Sequence, residues 1–299
     1  MSLTRPRAAP TLKDVSTRIA LATSAAFPEL HPDDLPLVAA LQAAGLDPVV
    51  RVWTDPSVDW SSFDAVLLRS VWDYHTRYVE FAEWLGLLDK AEVPVFNDSE
   101  LVRWNADKSY LLELRERGVA IVPTQIAAGP CLREVITGLT GQEIVVKPTV
   151  GANALQTIRG IAGSDELSRA MDDLPEAVYL VQPFLPEIQS EGEWSLLFID
   201  GEFSHAVLKR PADGDYRVQL VLGGTSALAE APSAVREAAA AALAAVDTRR
   251  APLYARVDGV VTGGRFLLME LELIEPYLYL LDFPAADDKL ATALAARLG

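Results

Sequence analysis

The chain has 299 residues, half of them hydrophobic, with 42 acidic against 26 basic side chains and a net charge of −16. That length and apolar content suit two or three compact units with a buried core. So acidic a balance argues against general nucleic-acid or anionic-membrane binding, though not against one anion in a locally basic pocket. A single cysteine, Cys131, excludes an intrachain disulfide and a cysteine metal cluster, and fits a reducing, cytoplasmic setting.

Residues 1–17 carry prolines and bases without an apolar run. They are expected to be a loose tail and not a signal peptide, and no stretch is long and apolar enough to span a membrane. Residues 18–23 (RIALAT) predict a first buried strand. Asp33, Asp34 and Pro36 open a helix over 35–44 that Gly45 closes. Strands are expected at 48–53, 64–68 and 93–96, with an amphipathic helix over 78–90. This alternation predicts a parallel α/β domain over residues 18–100. In such sheets ligands gather beyond the carboxyl ends of the strands. Thr23, Ser24 and the run Arg69-Ser70-Val71-Trp72-Asp73-Tyr74 fall there. Next comes a helix over 105–117, then strands at 120–123, 143–147 and 178–182. Strands at 194–199 and 202–209 flank the turn pair Asp200-Gly201, and strands at 253–261 and 265–273 flank Gly263-Gly264. An alanine-rich helix over 231–246 separates these hairpins, and a short helix ends the chain. The second half is therefore α+β.

The common catalytic signatures are missing. There is no G-x-x-x-x-G-K-[ST] loop, no G-x-G-x-x-G after a strand and no G-x-S-x-G elbow, and His31, His75 and His205 share no ligand spacing. What stands out is charge on predicted strands. Only six of the 26 basic residues are lysines, and Lys147 ends an apolar strand, where a compact ammonium suits a phosphate oxygen. Arg256 and Asp258 share one strand face, as do Glu270 and Glu272. Pairing around Gly263-Gly264 is expected to bring Asp258 beside Glu270. Three clustered carboxylates repel unless a cation lies between them, and such oxygen ligands suit Mg²⁺. The competing reading is an alternating, solvent-exposed face.

In chain order, Lys108, Lys147-Pro148, the small-residue loop 150–154, Gln182-Pro183-Phe184-Leu185-Pro186-Glu187, Gly192-Glu193, Asp200-Gly201, Tyr216-Arg217, Gly223-Gly224, Arg256-x-Asp258 and Glu270-x-Glu272 resemble the ATP-grasp superfamily. The likeness covers about residues 105–281 and is nearest to the glutathione-synthetase-like and ribosomal-protein glutamate-ligase-like branch. It implies an α/β and α+β chain, an ATP-grasp fold behind a preceding parallel α/β domain. ATP would lie between a central lobe (101–184) and a C-terminal lobe (185–299). The implied activity is an ATP- and Mg²⁺-dependent carboxylate–amine ligase working through an acyl phosphate. Lys108 and Lys147 would hold the phosphates beneath the loop around Gly151. Gln182, Phe184 and Leu185 would form the adenine hinge, Glu193 or else Glu187 would bind the ribose, and Lys209 would face the same site. Arg217, Lys147 and Arg256 would be catalytic. Asp258, Glu270 and Glu272 would hold Mg²⁺, with Glu272 standing where many relatives carry asparagine.

A narrower resemblance rests on Ser70-Val71-Trp72-Asp73-Tyr74 and Glu270-Leu271-Glu272-Leu273-Ile274-Glu275-Pro276. These are similar to the small group that includes the cycloserine-forming cyclo-ligase acting on O-ureido-serine. That implies a small amino-acid-like substrate met by Arg69, Ser70, Trp72, Asp73, Tyr74 and Glu275. Neither a nucleic acid nor a membrane is an implied partner, and a homo-oligomer is compatible with it. The alternatives are an intermolecular dipeptide or glutamate ligase, and a non-catalytic nucleotide-binding module.

Overall fold

A computed structural model describes residues 16–152, 154–212, 214–218 and 222–299. Most of the expected tail and Asn153 of the small-residue loop lie outside the described residues. No helix among the described residues is long and apolar enough to cross a membrane.

The amino-terminal unit runs β1 (Thr17–Thr23), α1 (Leu35–Ala43), β2 (Leu46–Val52), β3 (Ala65–Leu68), α2 (Tyr78–Lys90) and β4 (Val95–Phe96). Its strands form a parallel sheet in the order β2-β1-β3-β4. Strands β1 and β3 are covered on both faces, which is why Ile19, Ala20, Leu21 and Ala22 form an unbroken apolar run in place of an alternating one.

The expected helix over 105–117 is α4 (Tyr110–Glu116), preceded by a further helix, α3 (Ser99–Ala106), that lies mostly ahead of the expected range. The chain breaks where Asp107 turns extended (φ −104°, ψ 116°) and its carboxylate accepts from the Ser109 amide at 2.9 Å. The break leaves the Lys108 amide free to donate to the Thr149 carbonyl at 2.8 Å. A continuous helix would have consumed that amide.

The central sheet contains β5 (Gln125–Ala128), β6 (Glu143–Pro148), β7 (Ile158–Ile161) and β8 (Val178–Pro183), with α5 (Leu132–Thr137) and α6 (Asp165–Asp172) on one side. Its order is β5-β8-β6-β7, all antiparallel. The strand expected at 120–123 reduces to a single bridge between Ile121 and Leu268. Along β6 the side chains alternate: Ile144 and Val146 enter the core with Tyr179 and Val181, while Val145 and Lys147 face the other way.

The short α7 (Glu187–Ser190) leads into the C-terminal sheet: β9 (Glu193–Ile199), β10 (Glu202–Arg210), β11 (Thr225–Leu228), then α8 (Ser233–Ala244), β12 (Tyr254–Thr262), β13 (Arg265–Glu272) and α9 (Ala285–Leu298). The order is β11-β10-β9-β12-β13. One face packs Leu196, Phe198, Val257 and Leu271 against α8. Leu101 of α3 and Tyr110, Leu111 and Leu114 of α4 belong to the same cluster, which also takes in Leu180 of β8, while Val102 and Ala106 of α3 pack in the amino-terminal core. Helix α9 returns to α1, joining Leu290 and Leu294 to Leu37 and Leu41.

Hairpin β12–β13 carries one irregularity that decides the site. From its Gly263-Gly264 turn the register runs Thr262↔Arg265 to Gly259↔Leu268, then slips by one so that Asp258 pairs with Glu270 and Arg256 with Glu272. Without the slip Asp258 would oppose Met269, and Glu270 would point to the other face. Gly259 stands at the bulge because a Cβ there would lie 2.3 Å from the Phe266 ring and 2.5 Å from the Leu267 carbonyl oxygen.

Candidate active site

The faces of the central and C-terminal sheets that are not in their cores look at each other across a cavity of about 680 Å³, closed at one end by the loops after β1 and β3. Four strands supply its polar floor in register. Lys209 opposes Glu193, Ser195 opposes Asp258, and Asp258 opposes Glu270. Residues two apart on the same strands add Arg256 and Glu272 to the row.

These groups are bound to one another. Arg256 donates from Nε to both Asp258 oxygens at 3.1 Å and from Nη2 to Glu272 at 2.5 Å. Lys209 lies 2.5 Å from Glu193 and 3.3 Å from Asp258. Ser195 donates to Asp258 at 2.5 Å. Burial alone would raise Asp258, but Arg256 and Lys209 outweigh it and hold the carboxyl at about 2. The same ion pairs keep Lys209 above its ordinary value despite its burial. Lys108 reaches Glu270 at 3.2 Å and donates to the Gly151 carbonyl, so one ammonium ties the small-residue loop to β13. Lys108 and Lys147 together hold Glu270 below the usual carboxylate range against its burial. Lys147 takes no part in these ion pairs, and burial lowers its pKa while Glu270 offsets part of that loss.

The acids expected to cluster thus meet cations of the chain. Among the described residues no three His, Cys, Asp or Glu side chains converge to hold a metal ion unaided. That donor set still fits Mg²⁺, which is ordinarily held by one or two carboxylates with substrate phosphates supplying further oxygens. Glu270 and Glu272 are the accessible pair, with side chains 27% and 28% exposed toward the cavity. Asp258 is 4% exposed and fully engaged, so it would reach a metal only by releasing Arg256, Lys209 or Ser195. Burial, with the charges of Asp258 and Glu270 beside it, raises Glu272 to about 7 even against Arg256.

At the hinge, Gln182 is buried and donates to Thr124 at 2.8 Å, and the Phe184 amide donates to the Glu143 carbonyl at 2.9 Å. Gln182, Phe184, Leu185 and Glu193 all line the cavity. Arg159 lies 3.5 Å over the Phe184 ring and 4.9 Å from that of Tyr216, bracing this wall. Arg217 also lines the cavity but is folded onto Asp215 at 2.8 Å, so meeting a phosphoryl group requires it to let go.

Three expectations are corrected. Arg69 is buried against Asp34 at 2.8 Å and donates to the Pro276 carbonyl, and Ser70 donates to Asp34 at 2.7 Å. Neither lines the cavity; they fix the loops that do. Glu187 likewise lies off the cavity and accepts from Thr262 at 2.5 Å, whereas Glu193 lines it. Trp72, Asp73, Tyr74 and Glu275 do line it. Asp73 accepts from the Trp53 indole at 2.8 Å, and Trp72 donates to the Glu275 carbonyl at 2.9 Å. Glu275 is raised to about 8 by burial and by the charge on Glu272. Sequence reasoning missed Phe27, His31, Tyr277 and Tyr279 on the same wall. The strand-end rule reached Ser24 but did not follow the loop to His31, and the two tyrosines lie just past Glu275.

Residues 19–97 match the family described as D-cycloserine synthetase DcsG, N-terminal domain, and residues 122–266 match the prokaryotic glutathione synthetase ATP-grasp domain. The chain is 32% identical to the cycloserine biosynthesis protein DcsG of Streptomyces lavendulae, covering 94% of this chain and 98% of the relative. The chain belongs to the DcsG family of ATP-grasp ligases. The crystal structure of D-cycloserine synthetase DcsG superposes with a TM-score of 0.84 at 31% identity, over 94% of this chain and all of that one. A glutathione synthetase of Parasynechococcus marenigrum is 27% identical across 81% of this chain and 76% of its own length. A D-alanine–D-alanine ligase of Bacillus anthracis, solved with ATP, shares the fold at a TM-score of 0.66 and 16% identity, over 95% of this chain and 98% of that one. The protein is an ATP-dependent ligase that uses ATP and Mg²⁺ and acts on a small molecule.

Proposed function

We propose that the enzyme closes a ring within a single amino-acid substrate of the O-ureido-serine type, forming cycloserine through an acyl phosphate. One observation carries this reading: a single continuous cavity holds both the phosphate-side lysines and the wall built from Trp72 and Glu275. The similarity to a cycloserine biosynthesis protein over nearly the whole chain supports it, since it includes the amino-terminal domain that builds this wall. Glu275 is half-buried and has no cationic partner among the ion pairs of the described residues, so it seeks a cation, which an α-ammonium supplies.

In this scheme Lys147 and Lys108 face the phosphates, and Arg217 and Arg256 flank the transferring group. Glu270 and Glu272 would hold Mg²⁺, which would supply charge neutralisation at that group. The substrate carboxylate attacks the γ-phosphorus, the bond to the bridging oxygen breaks and ADP leaves. The nitrogen attached to the side-chain oxygen then attacks the acyl carbon, the C–N bond forms, phosphate leaves and the nitrogen gives its proton to solvent. Water then cleaves the bond from this nitrogen to its carbamoyl group, which departs as carbamate and falls to carbon dioxide and ammonia, leaving the ring N–H of cycloserine. No side chain need act as nucleophile, which accounts for the missing catalytic motifs. Because the nucleophile is already attached, proximity supplies much of the rate, with effective molarities on the order of 10⁵ M or more. A reducing, ATP-rich cytoplasm suits this chemistry and the exposed thiol of Cys131.

The test offers ATP, Mg²⁺ and single amino-acid derivatives, including O-ureido-serine of both hands, and follows ADP release with mass spectrometry. ADP release with one substrate and a cyclic product supports the reading. ADP appearing only when two amino acids are present, with a dipeptide product, overturns it in favour of an intermolecular ligase.

A further inference from the structure

His31 has no place in the phosphate chemistry, yet it lines the cavity. It sits in the loop after β1, at the start of the turn that leads into α1, and its Nδ1 accepts from the Asp33 amide at 3.2 Å. An N–H pointing at Nδ1 requires a lone pair there, so the neutral ring carries its proton on Nε2. Nε2 makes no hydrogen bond within the described protein and is not among its buried unpartnered polar atoms, so it is accessible on a residue that lines the cavity. The ring is held by Phe27 at 5.1 Å, Trp72 at 4.8 Å and Tyr277 at 5.5 Å between centroids. Trp72 spends its own indole N–H on the Glu275 carbonyl. This joins the wall around His31 to the backbone of Glu275, the residue proposed above to meet the substrate ammonium. On an otherwise aromatic surface, His31 presents a fixed donor beside Trp72.

We propose that His31 is a specificity-determining residue whose Nε2–H donates to a carbonyl oxygen on the tail of the amino-acid substrate, selecting ureido-type tails over tails that lack the carbonyl. This rests on the ring-closing reading and adds to it the group that reads the substrate's far end. A neutral donor suits an uncharged carbonyl, and the flanking rings suit the flat face of a urea.

Two substitutions separate recognition from structure. His31→Asn places an acceptor near Nδ1, so the turn keeps its cap, but removes the distal donor. His31→Gln places an amide N–H near Nε2 instead. KM is measured for O-ureido-serine, for its O-amino analogue without the carbonyl, and for ATP, with thermal melts of each variant. We expect His31→Asn to melt with the parent and to raise KM for the ureido substrate about three- to tenfold, the size of one lost neutral hydrogen bond. KM for the O-amino analogue and for ATP should not move, and His31→Gln should restore the ureido KM. An unchanged ureido KM in His31→Asn, or an equal rise for both substrates, overturns the proposal while leaving ring closure intact. If the parent enzyme does not turn over the ureido substrate at all, the ring-closing reading falls and takes this proposal with it.

Discussion

Among the described residues, the basic groups around the phosphate end of the cavity come with acids of their own: Lys108 with Glu270, Lys209 with Glu193, Arg217 with Asp215, and Arg256 with Asp258 and Glu272. Lys147 is the exception. In the proposed reading a polyphosphate would compete for the paired cations but would meet Lys147 without displacing a partner. Lys147→Arg keeps the charge and puts a wide planar fork where a point charge sat. Turnover should drop about 10²-fold or more, as for loss of one preorganised charge stabiliser; near-normal kcat would contradict the assignment. At the other end, Glu275→Gln removes the anion while keeping the shape. KM for the amino-acid substrate should rise at least tenfold with KM for ATP unchanged, in line with loss of a charge-assisted hydrogen bond worth about 1.5–3 kcal/mol. A rise confined to ATP would place Glu275 in the wrong subsite.

At the scale of elements, the β12–β13 hairpin shows what sequence carried and what it did not. The turn pair Gly263-Gly264 was readable because both residues adopt positive φ, 56° and 77°. The expected meeting of Asp258 and Glu270 occurs, but through a bulge that simple alternation does not predict and only Gly259 hints at. Gly259→Ala should cost about 1–3 kcal/mol by overpacking against Phe266 and Leu267, and activity should fall with the lost register. A variant that melts and turns over like the parent would contradict the bulge. The break at Asp107 was hidden for a related reason: helix periodicity runs through residues 105–117, and a single carboxylate cap interrupts it. Elements whose cores are shared between units, such as α3 and α4, carry an amphipathic signal but no indication of which sheet they will cover.

Segment 277–281, whose Tyr277 and Tyr279 line the cavity, is tied down by His205. Its ring stacks on Phe283 at 4.6 Å and bonds the Leu278 carbonyl at 3.0 Å. Burial, only partly offset by that bond, lowers the imidazole to about 4 from an ordinary 6.5. Between those values the unfolded chain binds the extra proton, so this contribution to stability grows as pH rises from 4 to 6.5 and is complete above. His205→Gln should therefore narrow its gap from the parent as pH falls from 7 to 4.5, read by urea unfolding. A gap independent of pH would mean the ring takes up its proton as readily in the folded as in the unfolded chain, and would contradict the lowered value.

For the whole molecule, the order of charged motifs along the chain disclosed the ATP-grasp architecture, because chemistry fixes those residues while leaving their surroundings free. It did not disclose that Arg69 and Ser70 serve the scaffold, since burial depends on Asp34 and Pro276, far away in sequence. Nor could it show that one cavity joins the phosphate floor to the aromatic wall. The central claim is that a carboxylate in this cavity is activated by phosphoryl transfer and then captured by a nitrogen of the same molecule. The most direct measurement uses O-ureido-serine labelled with ¹⁸O in its carboxylate. An acyl phosphate passes one labelled oxygen to phosphate when nitrogen displaces it. The account predicts one ¹⁸O in the released inorganic phosphate and one in the cyclic product, formed with no second amino acid present. Unlabelled phosphate accompanying product, or label found in a dipeptide, would contradict it.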